Sequence, residues 1–151
     1  MKKVLPALLL LAAGLFGEIR VGDSFPKVAL PDQFGKVRKV TSKDKMVLIA
    51  FEKKLFLAMN RELKQEKEDV LKAHSAKVIA DISGMPAFIA KMFALPKMRT
   101  YPFGVLLIRD GLGKRFDRRK GKITLYTLQH RKVRSIRFLT PEEVGTILQK
   151  P

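Results

Sequence analysis

Oxygen-bearing side chains cluster in the segment Asp81-Ile82-Ser83-Gly84-Met85-Pro86, directly after an apolar stretch of strand length. Ligands of α/β sheets commonly bind at the carboxyl ends of strands, so Asp81 and Ser83 could present oxygens to a ligand or to a non-thiol reaction there. The structural alternative is a plain strand end in which Ser83 caps the following helix. No Ser–His–Asp order, glycine-rich phosphate loop or HExxH motif is present, so no reaction class is indicated.

Thiol chemistry is excluded because the chain contains no cysteine. Disulfides, cysteine-ligated metals, thiol–disulfide exchange and cysteine peroxidase activity are therefore all ruled out. His74 and His130 are the only histidines, and neither has a carboxylate or a second histidine at ligand spacing. We accordingly predict no metal and no cofactor.

Methionines offer the remaining soft chemistry. Met59 could be oxidised reversibly to the sulfoxide, and Met85 and Met92 are seven residues apart, so they could share a helix face and offer sulfur to Cu(I). Methionine also fills irregular cores well. Since Phe88 and Phe93 are interleaved with these residues, core packing is the favoured interpretation.

Basic side chains dominate the charge of the chain. Its 151 residues include 31 Lys and Arg against 14 Asp and Glu, for a formal net charge of +17. Two basic runs lie around a predicted C-terminal hairpin and could form one patch that concentrates anionic partners. The alternative is a solvated basic surface. The residues of the two runs are Lys114, Arg115, Arg118, Arg119, Lys120 and Lys122, followed by Arg131, Lys132, Arg134 and Arg137.

The first 17 residues resemble a targeting segment. Lys2 and Lys3 precede an apolar, leucine-rich stretch that is too short to cross a bilayer as a helix and that ends in small residues. We predict a signal peptide over 1–17, with cleavage after Gly14 or Gly17 and a mature domain over 18–151. We therefore expect the protein to be exported to the periplasm. The alternative is that the segment stays uncleaved as an N-terminal membrane anchor.

Hydrophobic patterning predicts an α/β domain: a mixed central sheet flanked by helices, with N-terminal and C-terminal hairpins. A capping box at Thr140 and Glu143, with Pro141 at the first helical position, marks the start of the last helix. The second helix is expected to end at Leu95-Pro96. In chain order the predicted elements are a hairpin over 27–40, a strand over 46–51, a helix over 57–74, a strand over 77–82, a helix after Pro86, a strand over 103–109, a hairpin over 123–138 and a helix from Thr140.

This order resembles the thioredoxin superfamily, in its peroxiredoxin-like and exported branch. Three segments carry the likeness. They are the opening hairpin, Gly22-Asp23-Ser24-Phe25-Pro26 followed by Ala29-Leu30-Pro31-Asp32-Gln33-Phe34-Gly35-Lys36, then the strand Val47-Leu48-Ile49-Ala50-Phe51, and lastly Tyr101-Pro102 before Val105-Leu106-Leu107-Ile108 and Asp110-Gly111. The closing helix from Thr140 also fits.

The resemblance also implies where a site would lie. Counted from the central strand, Phe56 and Met59 occupy the places of the C-x-x-C motif, and Met59 falls where a peroxidatic cysteine would be. Tyr101-Pro102 corresponds to the cis-proline strand start, which implies a cis peptide bond and a peptide-binding groove beside Pro102. Because no cysteine is present, the resemblance implies the fold and the groove but no redox activity.

Three functions follow from these observations. The favoured one is an exported, redox-inactive thioredoxin-like module, not an enzyme, that binds a protein or peptide of the cell envelope. The first alternative is a basic protein that binds an anionic membrane surface or polysaccharide; nucleic acid is not an expected partner of an exported protein. The second alternative is a non-thiol enzyme that uses the 81–86 strand end.

Overall fold

A computed structural model describes residues 19–64 and 70–149. The predicted signal peptide lies outside the described residues. The centre of the fold is a five-stranded mixed sheet, which confirms the predicted α/β class. The strands of this sheet are β3 (Met46–Ala50), β4 (Ala76–Asp81), β5 (Val105–Ile108), β6 (Ile123–Gln129) and β7 (Lys132–Leu139). They lie in the order β5-β4-β3-β6-β7; β3, β4 and β5 are parallel, whereas β6 is antiparallel to β3 and β7 is antiparallel to β6.

The parallel strands are buried on both faces, as their uninterrupted apolar runs predict. Alternate residues enter two separate cores. Leu48 and Val78 face one core with the helices, whereas Ile49 and Ile79 face the other with the N-terminal segment. In the second core Phe25 packs against both Phe116 and Tyr126, at centroid distances of 5.7 and 5.2 Å. The segment that precedes the first strand is therefore part of the fold.

The predicted N-terminal hairpin is present as a separate two-stranded sheet of β1 (Ala29–Pro31) and β2 (Val37–Lys39). Its turn is organised by Asp32, whose Oδ1 accepts the backbone N–H groups of Phe34 and Lys36, while Oδ2 accepts Arg38 Nε. Burial by itself raises the pKa of Asp32, but these hydrogen bonds and the Arg38 charge outweigh it, so the net pKa is lowered.

Gln33 joins this hairpin to the rest of the domain. Its fully buried Nε2 donates to Met98 O and Phe103 O, at 3.2 and 2.7 Å, and its Oε1 accepts Val105 N at 2.8 Å. One side chain thus hydrogen-bonds three backbone groups between residues 98 and 105.

The first helix differs from the prediction over 57–74. Helix α1 (Lys53–Lys64) begins four residues earlier, and α2 (Val70–Ala73) follows the residues that lie outside the described range. The early start follows from Phe56, which is on the buried face and whose N–H donates to Glu52 O.

The second helical region runs from 87 to 98, and we call it the rim segment. It consists of α3 (Ala87–Ile89), a π-helical stretch (Ala90–Ala94) and α4 (Leu95–Met98). The prediction that Leu95-Pro96 ends the helix is wrong. Pro96 has no N–H to donate, and the π-helical widening, in which Leu95 N–H donates to Ala90 O, lets the chain continue through it.

The C-terminal hairpin and last helix agree with the sequence prediction. His130 and Arg131, both at positive φ, form the two-residue turn between β6 and β7. Helix α5 (Pro141–Gln149) begins with the expected capping box, in which Glu143 N donates to Thr140 Oγ1 and Thr140 N donates to Glu143 Oε1. No helix within 19–64 and 70–149 has the length and apolar character needed to span a membrane.

Candidate functional site

A cleft of about 730 Å³ opens at the carboxyl ends of β3 and β4, and we call it the strand-end cleft. It lies between the start of α1, the β4 strand end and the rim segment. The lining is mainly apolar and includes Phe56, Ile82, Met85, Met98 and Tyr101. A cleft of this size and character is typical of ligand sites.

Asp81 and Ser83 both line the strand-end cleft, as their position after the strand predicts. Asp81 Oδ1 accepts Ser83 N at 2.9 Å and Ser83 Oγ at 2.6 Å, so the pair forms a closed local turn. Ser83 does not cap the following helix, whose N-cap is Pro86 without a side-chain hydrogen bond; that part of the structural alternative is wrong. Asp81 Oδ2 lies where a side chain at Gly113 would clash with it.

Arg118 contributes a cation to the strand-end cleft. Its guanidinium lies over the Phe51 ring, with Cζ 4.2 Å from the centroid, and Nη2 donates to Gly113 O at 3.2 Å. This placement was not predicted, because nothing in the sequence distinguishes Arg118 from the other basic residues of its run. The run therefore contributes one residue to the cleft.

Phe56 and Met59, predicted as the degenerate redox positions, separate in the structure. Phe56 lines the cleft, whereas Met59 is 0% exposed and packs in the helix-side core. Because α1 begins at Lys53, Met59 lies well inside the helix and not at its N-terminus. The placement of Met59 at a helix start is wrong, and packing accounts for its position.

The Tyr101-Pro102 bond is not cis. The described part of the chain contains no cis peptide bond, so the predicted cis-proline groove is not formed. Trans is the intrinsically favoured form, by about 0.5–1 kcal/mol, and the local packing is compatible with it. The Tyr101 ring packs inward beside Phe103, at a centroid distance of 5.6 Å, while Pro102 is exposed and does not line the strand-end cleft.

Three large apolar side chains of the rim segment are exposed instead of buried. Phe88, Met92 and Phe93 are 66, 65 and 65% exposed, so the interpretation of this helix as core packing is wrong for them. Only Ala90, Leu95 and Met98 of the segment are buried, because its contact with the core is narrow. Phe93 also lines the cleft, so the exposed apolar surface is continuous with it.

The predicted basic patch is split by the hairpin register. Arg137 lies opposite Leu125, two residues from the start of β6, and so lies close to the preceding basic run. Arg131 and Lys132 are at the turn, about 20 Å away along seven residues of β6, which is well beyond the screening length of about 8 Å. Arg131 Nη2 donates to Phe25 O at 2.8 Å.

The remaining basic residues also separate. The pKa of Glu143 is lowered first by its hydrogen bonds with Thr140 and then by the charges of Lys122 and Arg137, and the pairing of β6 with β7 places both cations near the start of β6. Arg119 lies over the Phe138 ring, with Cζ 4.5 Å from the centroid. Lys114, Arg115 and Lys120 are exposed before β6, and Arg134 is exposed beside the hairpin bulge.

Both histidines line a second cleft, of about 900 Å³, at the opposite end of the strands. The sequence did not indicate this, because His74 follows a short helix and His130 is in a hairpin turn far away in the chain. Asp44, which also lines this cleft, is occupied by Lys77 Nζ at 2.7 Å and Thr41 N at 2.7 Å. Within the described residues no group of three His, Asp or Glu side chains could hold a metal ion.

Comparison with known proteins identifies the fold alone. No family model and no curated protein matches the chain. Among solved structures, peroxidoxin BcpB from Mycobacterium tuberculosis is 18% identical with a TM-score of 0.55, and the match covers 87% of this chain and 97% of that one. The thioredoxin domain of a thiol-disulfide oxidoreductase from Bacteroides vulgatus is 14% identical, with a TM-score of 0.58 and the same coverage.

A thio-disulfide isomerase from Thermus thermophilus is 17% identical, with a TM-score of 0.55 over 85% of this chain and 93% of that one. The predicted thioredoxin-like architecture is thus confirmed, in a chain that has no cysteine.

Proposed function

We propose that this thioredoxin-like chain is a redox-inactive binding module, and that its strand-end cleft holds an extended polypeptide segment of a partner protein. The observation that carries the proposal is the continuity between the apolar cleft and the exposed Phe88, Met92 and Phe93 of the rim segment. Exposed apolar surface that is continuous with a cleft marks interaction sites in soluble proteins.

The chemistry of the cleft favours binding over catalysis. With no cysteine in the chain, the edge that carries thiols in thiol-dependent relatives presents Lys53, Phe56 and Leu57 here. The Asp81 carboxylate is engaged by Ser83. Neither histidine lines this cleft, so Ser83 has no base beside it of the kind that nucleophilic catalysis needs.

Export forms part of the proposal. A positively charged start, a short apolar stretch and small residues over 1–17 support cleavage of a signal peptide, and the partner would then be an envelope protein or peptide. The intact mass of protein recovered from the cell envelope tests this. A mature start at Leu15 or Glu18 is expected, and a retained full-length chain would favour an N-terminal anchor.

Peptide titration tests the binding function. We expect a library of labelled apolar peptides to contain sequences that bind the mature protein, and Phe93→Ser to weaken that binding at least about fivefold by removing apolar contact area. Phe34→Ser is the matched control, because Phe34 is 60% exposed on the N-terminal hairpin and does not line the cleft. Equal loss in both variants, or no peptide that binds, would refute the proposal.

A second candidate function rests on the basic residues that the register does bring together. Lys122 and Arg137, with the exposed Lys120 nearby in the chain, could hold the protein on anionic lipid headgroups or polysaccharide. Sedimentation with anionic and neutral vesicles tests this, using a variant in which Lys122 and Arg137 are changed to Ser. Binding that ignores lipid charge, or a variant that binds as well as wild type at every salt concentration, excludes it.

A further inference from the structure

A smaller groove of about 290 Å³ lies beside the strand-end cleft, and we call it the basic groove. It runs between α1 and the end of the rim segment. Four of its seven lining residues carry a positive charge, and none carries a negative one. The lining residues are Lys54, Leu57, Asn60, Arg61, Lys64, Lys97 and Tyr101.

Three cations of the basic groove lie on one face of α1, and the fourth lies on α4 at the other side of the groove. Lys54, Arg61 and Lys64 are spaced seven and three residues apart on α1, which brings them to one side of the helix, and Lys97 approaches from α4. Lys64 Nζ lies 4.0 Å from the centroid of the Tyr101 ring, so this ammonium group is held at the groove by a cation–π contact.

Asn60 provides the second, independent observation. It is 2% exposed, and neither its Nδ2 nor its Oδ1 has a hydrogen-bond partner. A buried amide without partners is destabilising, and such groups in folded proteins call for an explanation. Asn60 lies on α1 one turn from the core residue Phe56 and one turn from the groove residue Lys64, and it is among the residues that line the groove.

The basic groove and the strand-end cleft are neighbours. Leu57, Lys97 and Tyr101 line both, so one ligand can extend from the cleft into the groove without leaving the surface.

We propose that the basic groove binds a carboxylate of the same polypeptide whose apolar part fills the strand-end cleft. This inference rests on the proposed function and assigns its ligand class: an apolar segment that carries an acidic side chain or ends in a free carboxylate. The charge of the lining favours this ligand, and the net charge of +17 favours acidic partners in general. Arg61 and Lys64 supply the attraction, and Asn60 donates a hydrogen bond.

Three forms of one cleft-binding peptide test the proposal by fluorescence anisotropy. They carry an internal Glu with an amidated end, Gln at the same place with an amidated end, or that Gln with a free carboxyl end. Wild type should bind at least one carboxylate form about tenfold more tightly than the amidated Gln form at low salt. The preference should shrink as salt screens the charges. The form that is preferred identifies the source of the carboxylate.

Variants that remove charges show which residues produce the preference for the carboxylate peptides. Arg61→Gln combined with Lys64→Gln should reduce it to about twofold or less and leave the affinity for the amidated Gln peptide unchanged, because neither residue lines the strand-end cleft. Lys36→Gln combined with Lys39→Gln is the control, since both lysines are exposed on the N-terminal hairpin and their loss lowers the net charge equally. A preference that falls equally in both double variants is a general charge effect and overturns the assignment.

Asn60→Leu separates binding from folding. Removing an unpartnered buried amide should leave the midpoint of urea unfolding at or above that of wild type and weaken binding of the carboxylate peptide about threefold. A clearly lower midpoint would show that the Asn60 amide is paired within the fold. If the amidated Gln peptide binds and neither carboxylate form binds more tightly, this inference fails alone; if no peptide binds, the proposed function fails as well.

Discussion

The rim segment and α5 carry similar apolar spacing but use it differently. In α5, Val144 and Leu148 are 1 and 2% exposed and complete the helix-side core. In the rim segment, Phe88, Met92 and Phe93 are about two-thirds exposed although their spacing is equally helical. Periodicity therefore predicts that a helix forms, but not whether another element covers its apolar face.

The two helical regions also differ at their beginnings. Helix α5 starts with reciprocal hydrogen bonds between Thr140 and Glu143, whereas the rim segment starts at Pro86 with no side-chain cap and continues through a π-helical stretch. The far end of the rim segment is held instead by Gln33, which accepts and donates hydrogen bonds at 98–105. A helical segment that contacts the core through a narrow face and is held at its end can keep its other apolar side chains available for a partner.

The largest expected effect on stability comes from truncating a buried side chain of α5, compared with an exposed one of the rim segment. Leu148→Ala should lower the free energy of unfolding by about 2–5 kcal/mol, because it leaves a cavity in a closed core. Phe93→Ala should change it by no more than about 0.5 kcal/mol, because the side chain is 65% exposed. Urea unfolding of both variants measures these two free energies. Similar losses in the two variants would contradict the prediction.

The next effect concerns the anchor of the rim segment. Gln33→Leu removes one hydrogen-bond partner from each of three backbone groups, so we expect a loss of about 1–3 kcal/mol in unfolding free energy. Amide hydrogen exchange should also speed up over 98–105 while the α5 amides keep their protection. Uniform acceleration across the protein would show that Gln33 stabilises the whole fold and not this end of the segment.

Asp32 shapes the turn that presents Gln33, and its effect depends on pH. Because the pKa of Asp32 is lowered in the folded protein, its stabilisation is present above the unfolded value of about 3.9 and is lost as pH falls through the folded pKa. Asp32→Asn should cost about 1.5 kcal/mol at pH 7. The difference from wild type should shrink below about pH 4; a constant difference down to pH 2 would contradict the role of the charge.

The smallest expected effect on stability concerns the residues that precede α5 and the rim segment. Thr140→Ala should cost about 1 kcal/mol in unfolding free energy, because it removes the acceptor for Glu143 N. Ser83→Ala should cost less than about 0.5 kcal/mol, because Ser83 caps no helix and is exposed. Thermal or urea unfolding distinguishes the pair. Equal costs would mean that the rim segment depends on a local cap after all.

Much of the fold was predictable because its signals are local. Buried runs indicated the parallel strands, the 27–40 hairpin and the β6–β7 hairpin follow alternation and turn residues, and the Thr140 capping box marked the start of α5. Asp81 and Ser83 were placed at the cleft for a topological reason, since carboxyl ends of parallel strands meet at one edge.

Other predictions were wrong where the position of a side chain depends on a residue far away in the chain. The exposure of Phe93 depends on whether another element covers the rim segment, and the start of α1 depends on how Phe56 packs. Arg118 and Arg131 belong to basic runs in the sequence, yet one packs over Phe51 and the other reaches Phe25 O. A run of like charges contains no information about which member finds such a contact.

The sequence by itself determined the α/β order of elements, the absence of thiol chemistry and the net charge of +17, because these follow from residue types and from contacts within a few residues. Only the tertiary structure decided the cleft with its apolar rim, the trans Tyr101-Pro102 bond, the split of the basic residues and the unpartnered Asn60 beside four cations. Each of these depends on which segments remote in the chain become neighbours, and on which polar and apolar groups those neighbours leave uncovered.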